Sequence, residues 1–160
     1  MITIVTNQGD IVVELFDESA PISSENFKQY VTDGFYAETV FHRVISNFMI
    51  QGGGMTADMN KKETRAPIKS EATNGEKNLR GTLAMARTDD VDSATSQFFI
   101  NLRNNASLDH GDRNYGYAVF GRVTDGMDIV DAIAAANTGT VAGQQDVPLE
   151  PITIVEVRQE

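Results

Sequence analysis

The chain contains no cysteine and no tryptophan, and only two histidines and four prolines among its 160 residues. Without cysteine there can be no disulfide, no thiolate nucleophile and no thiolate metal site, and redox compartment cannot be read from cysteine usage. Basic residues are scarce as well: 13 Lys and Arg stand against 23 Asp and Glu, a formal net charge of −10. Nucleic acids and anionic membrane surfaces are recognised by concentrated Lys and Arg, so neither is an expected partner. No apolar run approaches the roughly 20 residues that span a bilayer. The start, Met1-Ile2-Thr3-Ile4-Val5, runs directly into strand-like alternation without a basic segment or a small-residue cleavage site. A soluble cytoplasmic protein is expected, and a monomer.

Several catalytic signatures are missing too. Two histidines without an HExxH pattern make no case for zinc. A GxSxG elbow, which a serine hydrolase would need, is absent. Gly52-Gly53-Gly54 lacks the Gly-Lys-Ser/Thr ending of a phosphate loop and reads as a tight turn. No metal and no cofactor are expected.

What the chain does have is hydrophobic content of 41%, enough for one sizeable core in one domain over residues 1–160. Strand-like runs are expected at 3–6, 10–16, 39–45, 48–51, 82–86, 97–102, 118–123 and 152–157. Asn7-Gln8-Gly9 signals a hairpin between the first two. Pro21 opens a helix in which Phe27, Tyr30 and Val31 recur at helical spacing until Gly34. A second helix at 127–135 carries Met127, Val130, Ile133 and Ala134 on one face. The stretch from Gly52 to Arg80, with Lys61, Lys62, Arg65, Lys69, Pro67 and Asn74-Gly75, has no clear period and reads as a long surface excursion. About eight short strands and two helices without a βαβ rhythm favour an antiparallel barrel or sandwich.

One segment stands out chemically. Phe41-His42-Arg43-Val44-Ile45-Ser46-Asn47-Phe48-Met49-Ile50-Gln51-Gly52-Gly53 places an arginine on a strand, then a turn, two large apolar groups, an amide and glycines. Ser96-Gln97-Phe98-Phe99-Ile100 adds a second amide with an aromatic pair. Together with Asn26-Phe27, Gly81-Thr82-Leu83-Ala84-Met85-Ala86, Val119-Phe120-Gly121 and Asp125-Gly126-Met127-Asp128, these motifs resemble the cyclophilin family in order and rough spacing over essentially the whole chain. Met85-Ala86-Arg87-Thr88 resembles the bacterial branch.

The resemblance implies a mostly β fold, a closed eight-stranded antiparallel barrel capped by two helices. It also implies peptidyl-prolyl cis/trans isomerase activity on proline-containing peptides and on unfolded or folding proteins. It makes Arg43 the catalytic arginine, with Phe48, Met49, Phe99 and Leu108 as the proline pocket. Gln51 and Gln97, with the backbone around Ala86 and Arg87, would hold the neighbouring peptide. Tyr117 occupies a place where many members carry histidine. Ser107 falls where the eukaryotic type has tryptophan, which leaves a smaller rim and implies weak cyclosporin binding.

Each residue also has a plainer reading. A strand arginine is usually solvated or salt-bridged, and Phe48, Met49, Phe99 and Leu108 could simply be core. Tyr117 could line a pocket or plug the barrel. His42, next to Arg43, faces the other way and is expected to be structural, whereas His110 lies in a polar loop. Asn105-Ala106-Ser107 is a formal glycosylation sequon without meaning in the cytoplasm. Two further functions remain open: a proline-peptide binding chaperone or scaffold with little turnover, and a structural protein with a vestigial site. Retention of Arg43 favours the enzyme, since a binder needs only the pocket.

Overall fold

A computed structural model describes residues 1–160. Strands β1 (Ile2–Thr6) and β2 (Gly9–Leu15) form the first hairpin, turned at Asn7-Gln8 as expected. Their alternation buries Ile2, Ile4, Ile11 and Val13 on one face. Helix α1 (Pro21–Thr32) follows, with proline in its first turn and Phe27 and Tyr30 buried. Its first residues receive no cap from Ala20. Instead the carboxylate of Glu71 accepts the backbone N–H groups of Ile22 and Ser23 at 3.1 and 2.6 Å, a cap that also complements the helix dipole.

The chain then runs through β3 (Thr39–Val40), β4 (Arg43–Ile45), β5 (Met49–Gly52), β6 (Thr82–Met85), β7 (Phe98–Asn101) and β8 (Val119–Asp125). A one-turn 3-10 helix, Ala106–Leu108, interrupts the β7–β8 connection. Helix α2 (Met127–Ala134) buries Val130 and Ile133, with Met127 and Ala134 partly buried against the core. Strands β9 (Thr138–Val141), β10 (Gln144–Pro148) and β11 (Thr153–Gln159) end the chain.

Nine strands form one antiparallel sheet in the order β3-β11-β1-β2-β8-β6-β7-β5-β4, and β9 and β10 form a separate hairpin. The two ends of the sheet, β3 and β4, are joined by Phe41 and His42 alone. Val40 and Arg43 therefore lie within roughly 11 Å of each other, so the sheet must curl back on itself into a half-barrel. No ladder of hydrogen bonds joins its two ends. Inside the curl lies the main core, where Phe27 and Phe98 meet edge-on at 5.5 Å and Tyr36, Phe41 and Phe120 pack around them.

Eleven strands replace the eight expected, for two reasons. The run 39–45 is two strands, because the chain changes partners at Phe41 and His42: β3 pairs with β11 and β4 with β5. The hairpin β9–β10 was invisible as a pattern because its residues are largely polar. It is turned by Ala142 and Gly143, both at positive φ, the backbone that two-residue hairpin loops require.

The stretch from 53 to 81 is poor in regular structure, as expected, but it is pinned to the body. Besides the Glu71 cap, the Arg65 backbone N–H donates to Tyr30 Oη, Lys62 Nζ donates to the Phe35 carbonyl, and Ile68 bridges to Ala94.

Candidate active site

The site is built from one row of cross-strand neighbours. Arg43 in β4 pairs with Gln51 in β5, Gln51 with Phe99 in β7, Phe99 with Ala84 in β6, and Ala84 with Val119 in β8. Because side chains of paired residues share a face, this row collects an arginine, an amide, an aromatic ring and two small apolar groups on the outside of the curled sheet. Met49, two residues from Gln51, joins them, and Met49, Ala84, Phe99 and Val119 form a small apolar cluster separate from the main core.

Loops supply the remaining walls. Phe48 comes from the β4–β5 turn, Ala86 and Arg87 from the end of β6, Leu108 from the 3-10 turn, and Tyr117 from the approach to β8. Nine of the ten residues named from the sequence, Arg43, Phe48, Met49, Gln51, Ala86, Arg87, Phe99, Leu108 and Tyr117, line one cavity of about 120 Å³. That is about the liquid volume of four waters, a space on the scale of a small ring. Tyr117 lines the cavity and does not plug the barrel; its ring meets Phe99 edge-on at 5.6 Å.

Gln97, the tenth, lies just beyond, in a larger adjoining groove that shares Gln51, Ala86 and Arg87 with the cavity. Gln51 links the two spaces: its Oε1 faces Arg43 Nη1 at 3.4 Å, and its Nε2 donates to Gln97 Oε1 at 2.9 Å. The glycines after β5 make room for this bridge. Gly53 has φ +90°, and a Cβ on Gly54 would come within 2.4 Å of Gln97 Cγ. The triplet thus seats Gln97 as well as turning the chain.

The two arginines differ. Arg43 is exposed and enters no ion pair, so most of its donors are free beside the largely apolar cavity. Arg87 is occupied: Nε and Nη2 donate to the Gly116 carbonyl, Nη1 to that of Thr88, and its guanidinium lies 4.6 Å over the Tyr117 ring. Its side chain clamps the loop that carries Tyr117 while lining both spaces. Ser107 is exposed and does not line the cavity. His42 is buried with Nδ1 unpartnered; burial chiefly, and then the charges of Arg43 and Lys61, hold its pKa down to about 4. It is a neutral structural ring at ordinary pH.

The sequence reading missed what fixes the loop-borne walls. Asn101, fully buried at the end of β7, donates to Asn78 Oδ1 and Thr82 Oγ1, both at 3.0 Å. Asn105 donates to Asn101 Oδ1 at 2.8 Å and to the Phe48 carbonyl at 2.9 Å. Asn78 donates to the Leu108 carbonyl at 3.0 Å, and the Tyr117 N–H donates to that same carbonyl at 2.9 Å. Three buried amides therefore tie down the backbone of Phe48, Leu108 and, through Leu108, Tyr117. The only signal in the sequence was three asparagines flanking strands, which is also the signature of ordinary turns.

A family profile described as cyclophilin type peptidyl-prolyl cis-trans isomerase/CLD matches residues 1–159. Peptidyl-prolyl cis-trans isomerase A of Dickeya dadantii is 54% identical over 153 residues, which cover 96% of this chain and 80% of that protein. Peptidyl-prolyl cis-trans isomerase B of Escherichia coli is 52% identical over 160 residues, covering 98% of each. Among solved structures, a Cryptosporidium parvum cyclophilin type isomerase in the presence of the dipeptide Ala-Pro superimposes with a TM-score of 0.80 at 26% identity, covering 98% of this chain and 96% of that one.

Proposed function

Because the chain belongs to the cyclophilin type peptidyl-prolyl cis/trans isomerase family, we propose that it turns Xaa-Pro bonds with Arg43 as the catalytic side chain over the 120 Å³ cavity. The activity is that of the family, acceleration of cis/trans interconversion at proline. The single observation that carries the residue assignment is the exposed Arg43 guanidinium, in no ion pair, at a cavity six of whose nine lining residues are hydrophobic.

The chemistry needs no nucleophile, metal or cofactor, because no bond is made or broken. Rotation breaks amide resonance against a barrier of ~18–20 kcal/mol and takes tens of seconds unaided. In the twisted transition state the prolyl nitrogen turns pyramidal and regains its lone pair. A guanidinium placed there, or on the neighbouring carbonyl, stabilises that state more than the planar ground state. Reaching milliseconds requires roughly four powers of ten, about 5.5 kcal/mol, whereas one charge-assisted hydrogen bond contributes ~1.5–3 kcal/mol. The rest comes from orientation and from the dry wall of Met49, Phe99 and Leu108, which strengthens the contact. In this reading Phe48, Met49, Phe99, Leu108 and Tyr117 hold the pyrrolidine ring while Gln51 and Gln97 hold the adjacent peptide.

The reading extends to a monomer acting in the cytoplasm on folding polypeptides, with weak cyclosporin binding for want of a large group at Ser107. Full closure of the curled sheet into a barrel, supported by the two-residue link between its ends, would keep the Arg43 row rigid. Exchange spectroscopy on a short Ala-Pro peptide tests the mechanism. Wild type should give fast cis/trans exchange and Arg43→Ala a loss of roughly 100-fold or more in kcat/KM. Retention of most of the rate in that variant would refute the electrostatic mechanism; binding without acceleration by the wild type would favour a proline-recognition module.

A further inference from the structure

The groove beyond Gln51 has an unusual charge. Five of the thirteen Lys and Arg side chains are engaged in ion pairs, namely Lys28, Arg65, Arg80, Arg122 and Arg158. Of the rest, Lys61, Lys62 and Arg87 line this groove, and Arg43 stands at the adjoining cavity. No carboxylate lines either space, although the chain carries 23 of them and a net charge of −10. The acids nearest in sequence, Glu63 between Lys62 and Thr64 and Asp89 beside Thr88, are exposed and do not line it, and Asp90 and Asp92 accept the backbone N–H groups of Asp92 and Ser70.

The groove is also built to bind. It has a volume of about 380 Å³, and only two of its thirteen lining residues are hydrophobic. Thr95 and Ser96 contribute hydroxyls, groups that donate readily to an anion, whereas the Thr88 hydroxyl donates to Ser93 Oγ and that of Ser93 to the Asp90 carbonyl. Ser96 is 1% exposed and its Oγ has no hydrogen-bond partner, which leaves a desolvated donor without an acceptor. Lys62 and Arg87 are held in place by the Phe35 and Gly116 carbonyls, so two of the positive charges are fixed, while Lys61 is exposed and unpaired.

We propose that this groove selects clients carrying an anionic side chain, a carboxylate or a phosphoryl group, within a few residues of the isomerised proline. The proposal rests on the reading that the proline ring occupies the smaller cavity, because the shared walls Gln51, Ala86 and Arg87 place a neighbouring residue of the same peptide in the groove. A low-dielectric cleft lined by one sign of charge focuses its field on a ligand even when the molecule as a whole is of the opposite sign. The consequence is a substrate preference opposite to the one a protein of net charge −10 would show through its overall charge, which repels acidic peptides.

The test uses the intact chain and a series of short peptides with one proline. A neutral parent with Gln is compared with peptides in which Glu, phosphoserine or Lys replaces Gln at each position near the proline in turn. Exchange spectroscopy gives kcat/KM at low and high salt. At one position Glu or phosphoserine should exceed Gln by roughly three- to tenfold, the scale of one or two partly screened ion pairs. Lys should fall below Gln, and high salt should erase the order. Lys61→Glu, a change at an exposed residue, should reverse the ranking of Glu and Lys. The ratio of phosphoserine to Glu separates a phosphoryl from a carboxylate as the preferred anion. If the parent peptide is turned over but Glu, Gln and Lys are equal at every position, the proposal is wrong and the isomerase site stands. Failure to turn over the parent would instead overturn the site assignment beneath it.

Discussion

Two rows of side chains cross strands β4, β5, β7 and β6 one residue out of step with each other. Val44, Ile50, Ile100 and Leu83 form the inner row, and all four are buried in the main core at 2% exposure or less. Arg43, Gln51, Phe99 and Ala84 form the outer row and make the site. Both rows belong to the same antiparallel ladders, so what separates them is which face of the pleat each residue occupies. The inner row holds the sheet curled, and the outer row uses that rigidity to keep a charged group beside an apolar cavity. Stability and catalysis should therefore respond to different substitutions a single residue apart.

The sharpest break comes from the inner row. Ile50→Ala should destabilise the fold by about 2–5 kcal/mol in urea denaturation, while kcat/KM of the fraction still folded changes far less than it does in Arg43→Ala. Equal damage to kinetics from both would erase the distinction between the rows. His42 sits at the seam where the rows change ends of the sheet, and it links the comparison to pH. Its folded pKa of about 4 lies below the ordinary value of 6.5. The unfolded chain therefore binds the proton more readily between these values, and stability falls as pH drops from about 6.5 toward 4, by about 3 kcal/mol in all. Denaturation midpoints across that range should flatten in His42→Phe; an unchanged slope would assign the loss to carboxylates.

Smaller effects are expected where the loops meet the outer row. Asn101→Leu leaves Asn78 and Asn105 each short of a buried partner, so it should cost about 1–3 kcal/mol of stability. Its specific mark is a raised KM, with amide shifts moving at Phe48 and Leu108; a lowered midpoint with unchanged kinetics would make the asparagines purely structural. Gly54→Ala should hardly move the midpoint but should displace Gln97 and break its bond to Gln51. Losing one hydrogen bond of roughly 1 kcal/mol corresponds to about a fivefold fall in kcat/KM, read most cleanly by exchange spectroscopy. Least of all, Ser107→Trp should leave turnover nearly intact and tighten cyclosporin binding in calorimetry; no gain there would remove the rim as a determinant.

Much of this was legible in order along the chain. The period-two alternation of Ile2 to Val13, the apolar spacing of α1 and α2, and the motifs around Arg43 and Phe99 each predict a local structure that formed, because nearest-neighbour stereochemistry fixes which face a residue takes. The absence of cysteine likewise ruled out thiol chemistry before any coordinates. The split of 39–45 into two strands was not legible, since it depends on the sheet's ends meeting at Phe41-His42. Nor was the role of Asn78, Asn101 and Asn105, which lie up to 27 positions apart and become a network only when β6, β7 and the 3-10 turn pack together. The engagement of Arg87 with Gly116, and the gathering of Lys61, Lys62 and Arg87 around one groove, are decided in the same way. A side chain's partners across long sequence separations are set by how elements dock, and docking is a property of the whole core, not of any window of residues.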